Sequence, residues 1–297
     1  MIYTTTEIDT VALQVPYNNS QIQRDTHTEI LYILSANSFV IKRYKNNRGN
    51  GNTTLEYKVM YGGAVIVSIN TGAYRVRSGI TNKLELEYYI KLKFAGLKSY
   101  NYIQDELSFY CLSVICAYLN TRCIYFNFTE LDICIDISSP FNNILAVCTK
   151  RSPKTQYYGV LDNQTYATTT YIEDIPYNNL NKAVLRAYTY DKAIKENLPY
   201  NLTRFELKLQ TKFFNMHSFS HDAIARALDR YTVMYFPTID AKNQMIDQYI
   251  NYDRVTQREI KKLQFQNYRL YPNIHVIHDF ISYLQQVNEL MLYQVII

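Results

Sequence analysis

Two tyrosines and a lysine, Tyr188, Tyr190 and Lys192, stand shortly before an alternating run that carries Arg204, Glu206 and Lys208. A tyrosine hydroxyl is a poor nucleophile at its ordinary pKa near 10. A nearby cation such as Lys192, with a metal polarising a target phosphate, would make it competent. The two-residue period of a strand places Arg186, Tyr188, Tyr190 and Lys192 on one face. The same period groups Arg204, Glu206 and Lys208 on one face and turns Phe205, Leu207 and Leu209 to the other. In "LDICID" (131–136) it groups Asp132, Cys134 and Asp136.

Acidic residues inside apolar strands are costly unless they meet a cation or a metal. Two readings therefore stand side by side. One is a structural salt bridge, for example Asp132 with Arg204. The other is a carboxylate metal site. Asp132 and Asp136 lie four residues apart, roughly 13 Å along a strand, so they do not both hold one ion directly. Asp132 with Glu206 from a neighbouring strand would, leaving Asp136 behind them or engaged elsewhere. Such all-oxygen ligation suits Mg²⁺ or Mn²⁺. Any one of 30 tyrosines is more often packing or surface; the case rests on the constellation.

The elements that must position these residues follow from patterning. "EIDTVALQV" (7–15) reads as an opening strand ending at Pro16. "EILYILSA", "FVIKRYK", "LEYKVMY", "AVIVSIN" and "LELEYYIKLKF" read as further strands, punctuated by "NNRGNGN" and Gly62-Gly63. Residues 101–119 carry apolar positions at 3.6-residue spacing and predict a helix on that sheet. "CIYFNFTELDICIDI" (123–137) reads as a central strand buried on both faces. A helix is expected over about 140–149, then strands at "TQYYGVL", "TYATTTYIED", "VLRAYTYDK" and "LTRFELKLQTKFF". After about residue 215 helical spacing dominates. The expectation is an α+β fold with a mainly antiparallel central sheet and packed helices, comprising a catalytic domain over 1–214 and a helical region over 215–297.

Composition narrows the function classes. Hydrophobic residues make up 47% of the 297 residues, enough for a sizeable core. The net charge of +5 permits a polyanionic partner without demanding one. Five cysteines with no CxxC pair read as free thiols in a reducing compartment. The N-terminus lacks a signal-peptide pattern, and the most apolar segment, 109–119, is too short to span a bilayer, so a cytoplasmic location is expected. "HSFSH" lacks the glutamate of HExxH, and no P-loop, GxGxxG or GxSxG is present.

With these residues in hand, the order of motifs resembles rolling-circle replication initiators of the filamentous-phage gene II type and related plasmid and phage initiation factors. "EIDTVALQVPY" (7–17) is similar to the family's opening strand. "FTELDICID" (128–136) is similar to its Arg-x-Asp strand, with Glu130 where a basic residue is common. "RAYTYDK" (186–192) is similar to its nucleophile strand, and "LTRFELKLQTKFF" (202–214) to its Arg-x-Glu strand. The resemblance covers about residues 5–215. It implies a rolling-circle Rep nuclease-like fold and a tyrosine endonuclease and strand transferase. That enzyme nicks a DNA origin through a 5′-phosphotyrosine link, assisted by Mg²⁺ or Mn²⁺ on carboxylates. It implies a single-stranded or supercoiled origin of a phage or plasmid as partner, with a host helicase. Tyr190 keeps the Tyr-Asp-Lys context and is the expected nucleophile, with Lys192 beside it. Tyr188 is its rival or a second nucleophile. Arg204 and Glu206 complete the phosphate and metal site.

Basic segments could contact phosphates: Lys42, Arg43, Lys45 and Arg48, then Lys150 and Arg151, then Lys261 and Lys262. Each is otherwise a solvated turn or face. Two competing functions remain: a non-catalytic DNA-binding regulator with the same fold, and an unrelated α+β interaction protein of a mobile element.

Overall fold

The computed structural model describes residues 2–47, 53–61, 63–77, 84–98, 102–148, 156–160, 167–172, 185–217, 220–251, 268–280 and 282–283. The chain forms two compact units: Met1–Glu7 with Asp132–Asp279, and Ile8–Leu131 with Phe280–Ile297. The expected boundary at 214/215 is not where they divide. Strand pairing and end contacts explain why. Residues 231–235 pair with 144–148, and Tyr3 N donates to Ser138 Oγ at 2.8 Å, drawing early, middle and late segments into one unit. The class is α+β, and the strand pairs whose register is defined are antiparallel.

The unit centred on residues 8–131 contains β1 (Thr4–Tyr17, from Ile8), α1 (Ser20–Ala36), β2 (Val40–Asn47), β3 (Thr53–Tyr61), β4 (Ala64–Arg77), β5 (Leu84–Phe94) and α2 (Tyr102–Thr121). Its strands run in the order β2-β3-β4-β5-β1. Val11, Leu13, Val67, Ile69, Ile90 and Leu92 are fully buried on one face of these strands. The segment "EILYILSA", read as a strand, is the end of α1. Its apolar, β-branched composition hides the helix, because the buried stripe begins upstream with polar residues: Gln23, Thr26, Ile30 and Leu34. The start signal is Asn19, whose side chain accepts from the amides of Gln21 and Ile22.

The other unit contains β6 (Asn127–Ile137, from Asp132), β7 (Ile144–Cys148), β8 (Gln156–Val160), β9 (Ala167–Ile172), β10 (Leu185–Asp191), α3 (Lys192–Glu196), β11 (Thr203–Gln210), α4 (Thr211–Met216), α5 (His221–Leu228), β12 (Tyr231–Tyr235), α6 (Ile239–Asn251) and β13 (Arg269–Leu270). One sheet runs β6-β11-β10-β9-β8 and a smaller one β13-β12-β7. The helix expected over 140–149 is instead a 3-10 turn, Phe141–Asn143, followed by β7. A five-residue apolar run is too short for a helix and finds its ladder partner in β12. For the same reason the region after 215 is not purely helical: "YTVMY" is β-branched and aromatic and forms β12. Leu145, Val147, Met234, Phe236 and Met245 make the small core between that sheet and α6. Among the described residues no helix is long and apolar enough to cross a membrane.

Asn19→Ala should destabilise the protein by about 1 kcal/mol, and Asn19→Asp should not, because only the alanine leaves the first-turn amides of α1 without a cap. Urea denaturation of both variants measures this.

Candidate active site

Alternation along β6, β10 and β11 puts the polar residues of all three strands together. Register then decides which side chains meet. On β10 and β11, Tyr188 lies opposite Glu206, Tyr190 opposite Arg204, and Arg186 opposite Lys208. The intervening Ala187, Phe205, Leu207 and Leu209 are buried apolar residues, with the Phe205 ring 6.0 Å from that of Tyr231 on β12.

The anchor is Arg204, 0% exposed, whose Nε and Nη2 donate to the two oxygens of Asp136 at 2.6 and 2.7 Å. Burial alone pulls the guanidinium's pKa down, and the bonds to Asp136 with neighbouring groups more than reverse it. A second pair, Lys208 Nζ to Asp132 Oδ2 at 2.5 Å, lies along the same strands. The expected pairing of Asp132 with Arg204 is thus replaced by two ion pairs, Asp136 with Arg204 and Asp132 with Lys208. At the end of the strands, Thr203 Oγ1 donates to Ser139 O at 2.8 Å.

Between these pairs stands Glu206, buried at 5% exposure. Tyr188 Oη donates to its Oε1 in a very short contact, and Tyr190 Oη donates to its Oε2 at 3.2 Å. The two rings stack with centroids 5.9 Å apart. The surroundings of the two phenols differ. Burial pushes the Tyr188 pKa far up, and the charges of Glu206 and Asp132 push it further. Tyr190 has Arg204 across the ladder and Lys195 Nζ 4.9 Å from its ring centroid.

The Tyr-Asp-Lys segment gains a local explanation. Asp191 ends β10 and caps α3, its side chain accepting from Ile194 N at 2.9 Å. The strand period therefore stops at Asp191. Lys192 begins the helix, is 2% exposed, and donates to Glu196 at 2.9 Å. The cation over the Tyr190 ring is Lys195, one helical turn on, which sequence reasoning missed. The capping Asp191, directly before the short run Lys192–Glu196, was the signal that could have found it. Arg186 is on this face without an assigned role; its Nε is buried and donates to no partner among the described residues.

Asp136 gives both oxygens to Arg204, Asp132 is bonded by Lys208, and Glu206 accepts from both tyrosines, so every carboxylate of the expected metal set has a protein partner. Asp132 and Glu206 both act on the same phenol, Tyr188, so two negative charges converge there. Mg²⁺ is commonly held by one or two carboxylates plus substrate phosphate and water, and an ion on Asp132 and Glu206 would compete with Lys208 and the two tyrosine hydroxyls for their oxygens. Among the described residues no group of three or more His, Cys, Asp or Glu side chains is placed to hold a metal ion.

Of the expected phosphate contacts, Lys42 lies on the opposite face of β2 from Arg43 and Lys45, by alternation. Arg48, Lys150, Arg151, Lys261 and Lys262 fall outside the described residues. Glu130, at the position where a basic residue is common in the resembled family, is bonded by Lys93 Nζ at 2.6 Å. No protein-family model matches the chain, and no curated protein matches it.

Asp136→Ala should cost about 3–5 kcal/mol, because it strands a buried guanidinium, while replacing Arg204 and Asp136 together by Met and Leu should recover most of that loss. Denaturant midpoints for the single and double variants, at equal m-value, measure the difference.

Proposed function

We propose that the chain is a tyrosine endonuclease and strand transferase acting on DNA, with Tyr190 as nucleophile. The observation that carries this reading is the bridge of one buried carboxylate, Glu206, to two stacked tyrosines. A carboxylate that accepts from a phenol is placed to take its proton. In the proposed step Tyr190 Oη attacks a backbone phosphorus and its proton passes to Glu206. The new bond is Oη–P. The bond that breaks is P–O3′, and Glu206 returns the proton to the leaving 3′ oxygen. A 5′-phosphotyrosine and a free 3′-OH result. Rejoining is the reverse.

Tyr190 is preferred over Tyr188 on charge. Glu206 opposes a phenolate on either ring; Arg204 and Lys195 favour one on Tyr190, whereas Asp132 adds to the opposition at Tyr188. Arg186, two residues before Tyr188 on the same face, offers a buried donor for a phosphate oxygen. A Mg²⁺ or Mn²⁺ ion on Asp132 and Glu206 would supply Lewis-acid polarisation of the phosphate. The wider reading, an initiator of rolling-circle replication of a phage or plasmid working with a host helicase in the cytoplasm, rests on the order of the four sequence motifs.

One observation favours a second reading, a DNA-binding regulator in which this network is only a polar strut: Tyr190 is 5% exposed and Glu206 5% exposed. One experiment separates the two. The protein is incubated with Mn²⁺ and a supercoiled library of random inserts, denatured, and its DNA-linked peptides mapped. The enzyme reading predicts an adduct on Tyr190 that Tyr190→Phe abolishes. Absence of any adduct favours the strut, and an adduct lost only in Tyr188→Phe moves the nucleophile by one pleat.

A further inference from the structure

Among the described residues of the unit centred on 8–131, α1 and α2 pack together, with Tyr118 Oη donating to Glu29 at 2.7 Å. The ring of His27 on α1 meets that of Tyr57 on β3 at 4.9 Å, which places α1 on the Tyr57 side of the sheet. Ladder neighbours of Tyr57 on that side are Ile69 and, through it, Leu92 and Leu13, all three buried. The alternate residues face the other way, and the registers line them up in rungs across the strands. Lys42 lies opposite Lys58, Lys58 opposite Ser68, and Ser68 opposite Lys93. The next rung is Tyr44, Glu56, Asn70, Lys91 and Gln14.

Like charges placed directly opposite each other on a sheet destabilise it. Lys42 against Lys58 is such a pair, and stability alone gives no reason for it. Two of the four lysines have acidic partners: Lys58 with Glu56 at 3.4 Å and Lys93 with Glu130 at 2.6 Å. Lys42 and Lys91 make no ion pair among the described residues. Burial pulls the Lys91 pKa down, its neighbour Lys93 pulls it further, and Glu130 opposes this. An anion on this face would relieve both the opposed lysines and the half-buried one.

The same face carries aromatic rings. Tyr44, 37% exposed, has Lys58 Nζ 4.9 Å from its ring centroid. Tyr74, 39% exposed, packs beside Tyr89 with centroids 5.7 Å apart. Gly72 makes room for the latter ring: a Cβ there would lie 2.4 Å from the Tyr89 hydroxyl oxygen. Rings interleaved with lysines, with Ser68, Asn70 and Gln14 between them, suit a chain that is polyanionic and has unpaired bases to stack. A duplex presents phosphates but no free base faces.

We infer that this lysine-bearing sheet face binds single-stranded nucleic acid, through Lys42, Lys58, Lys91 and Lys93 on its phosphates and Tyr44 and Tyr74 on its bases. The surface does not depend on the tyrosine chemistry proposed above and would bind in its absence. The test therefore uses full-length protein carrying Tyr190→Phe, so that no covalent step contributes. Fluorescence anisotropy follows binding of labelled oligothymidylate of twenty residues, of a duplex of equal length, and of vesicles containing phosphatidylserine. Oligothymidylate should bind with a slope of log K against log salt that Lys42→Ala with Lys91→Ala shallows by up to about 1.4, at about 0.7 per phosphate. Tyr44→Ala should weaken it by about 5- to 150-fold. Lys42→Glu should lose affinity while its thermal midpoint holds or rises, because the new carboxylate faces Lys58. Equal or tighter binding of duplex or vesicles, no binding of oligothymidylate, or an unchanged slope in the lysine variants would overturn the inference.

Discussion

A buried guanidinium must be matched by a carboxylate, and in this protein that requirement fixes the candidate site. Arg204 is 0% exposed and bonded at two points to Asp136, itself 2% exposed. Fork-to-fork pairs of this kind tolerate little rotation or slippage. The pair therefore locks the register of β11 against β6. Once Arg204 is set, alternation carries Glu206 and Lys208 to the same face, and the ladder to β10 brings Tyr188 opposite Glu206 and Tyr190 opposite Arg204. A slip of one residue would send every one of these side chains to the apolar face and set Phe205 and Leu207 among the polar groups.

The two tyrosines share a carboxylate and a stacking contact, yet their electrostatic surroundings diverge. Tyr188 makes the shorter bond to Glu206, and burial with the charges of Glu206 and Asp132 opposes the loss of its proton. Tyr190 has the longer bond, with Lys195 over its ring and Arg204 opposite it on the ladder. Environment often separates two like groups into different roles. On this account Tyr188 holds Glu206 in place and Tyr190 performs the proposed attack. Lys192, adjacent in sequence, serves the start of α3 through Glu196.

Alternation was enough to group the site residues by face, because a strand's period is fixed by its backbone. It could not say which acid meets which cation. That depends on the register between β6 and β11, which no local pattern encodes, and Asp132 went to Lys208 rather than Arg204. The helix α2 and the strands β10 and β11 were legible from strong periodicity. Helix α1 was not, since Gln23 and Thr26 occupy its buried stripe. The strands β7 and β12 are short apolar runs whose state is decided by their pairing with each other. Lys195 escaped because the strand period was carried past Asp191, where the cap begins a helix.

The central claim is that Glu206 takes the proton of the attacking tyrosine. Glu206→Gln keeps the shape and an acceptor oxygen but is no base. The measurement is the single-turnover rate of protein–DNA adduct formation by this variant, with its thermal midpoint as a control for folding. A fall of roughly 10²–10⁴-fold with the fold intact is the predicted result. Adduct formation at the wild-type rate would contradict it.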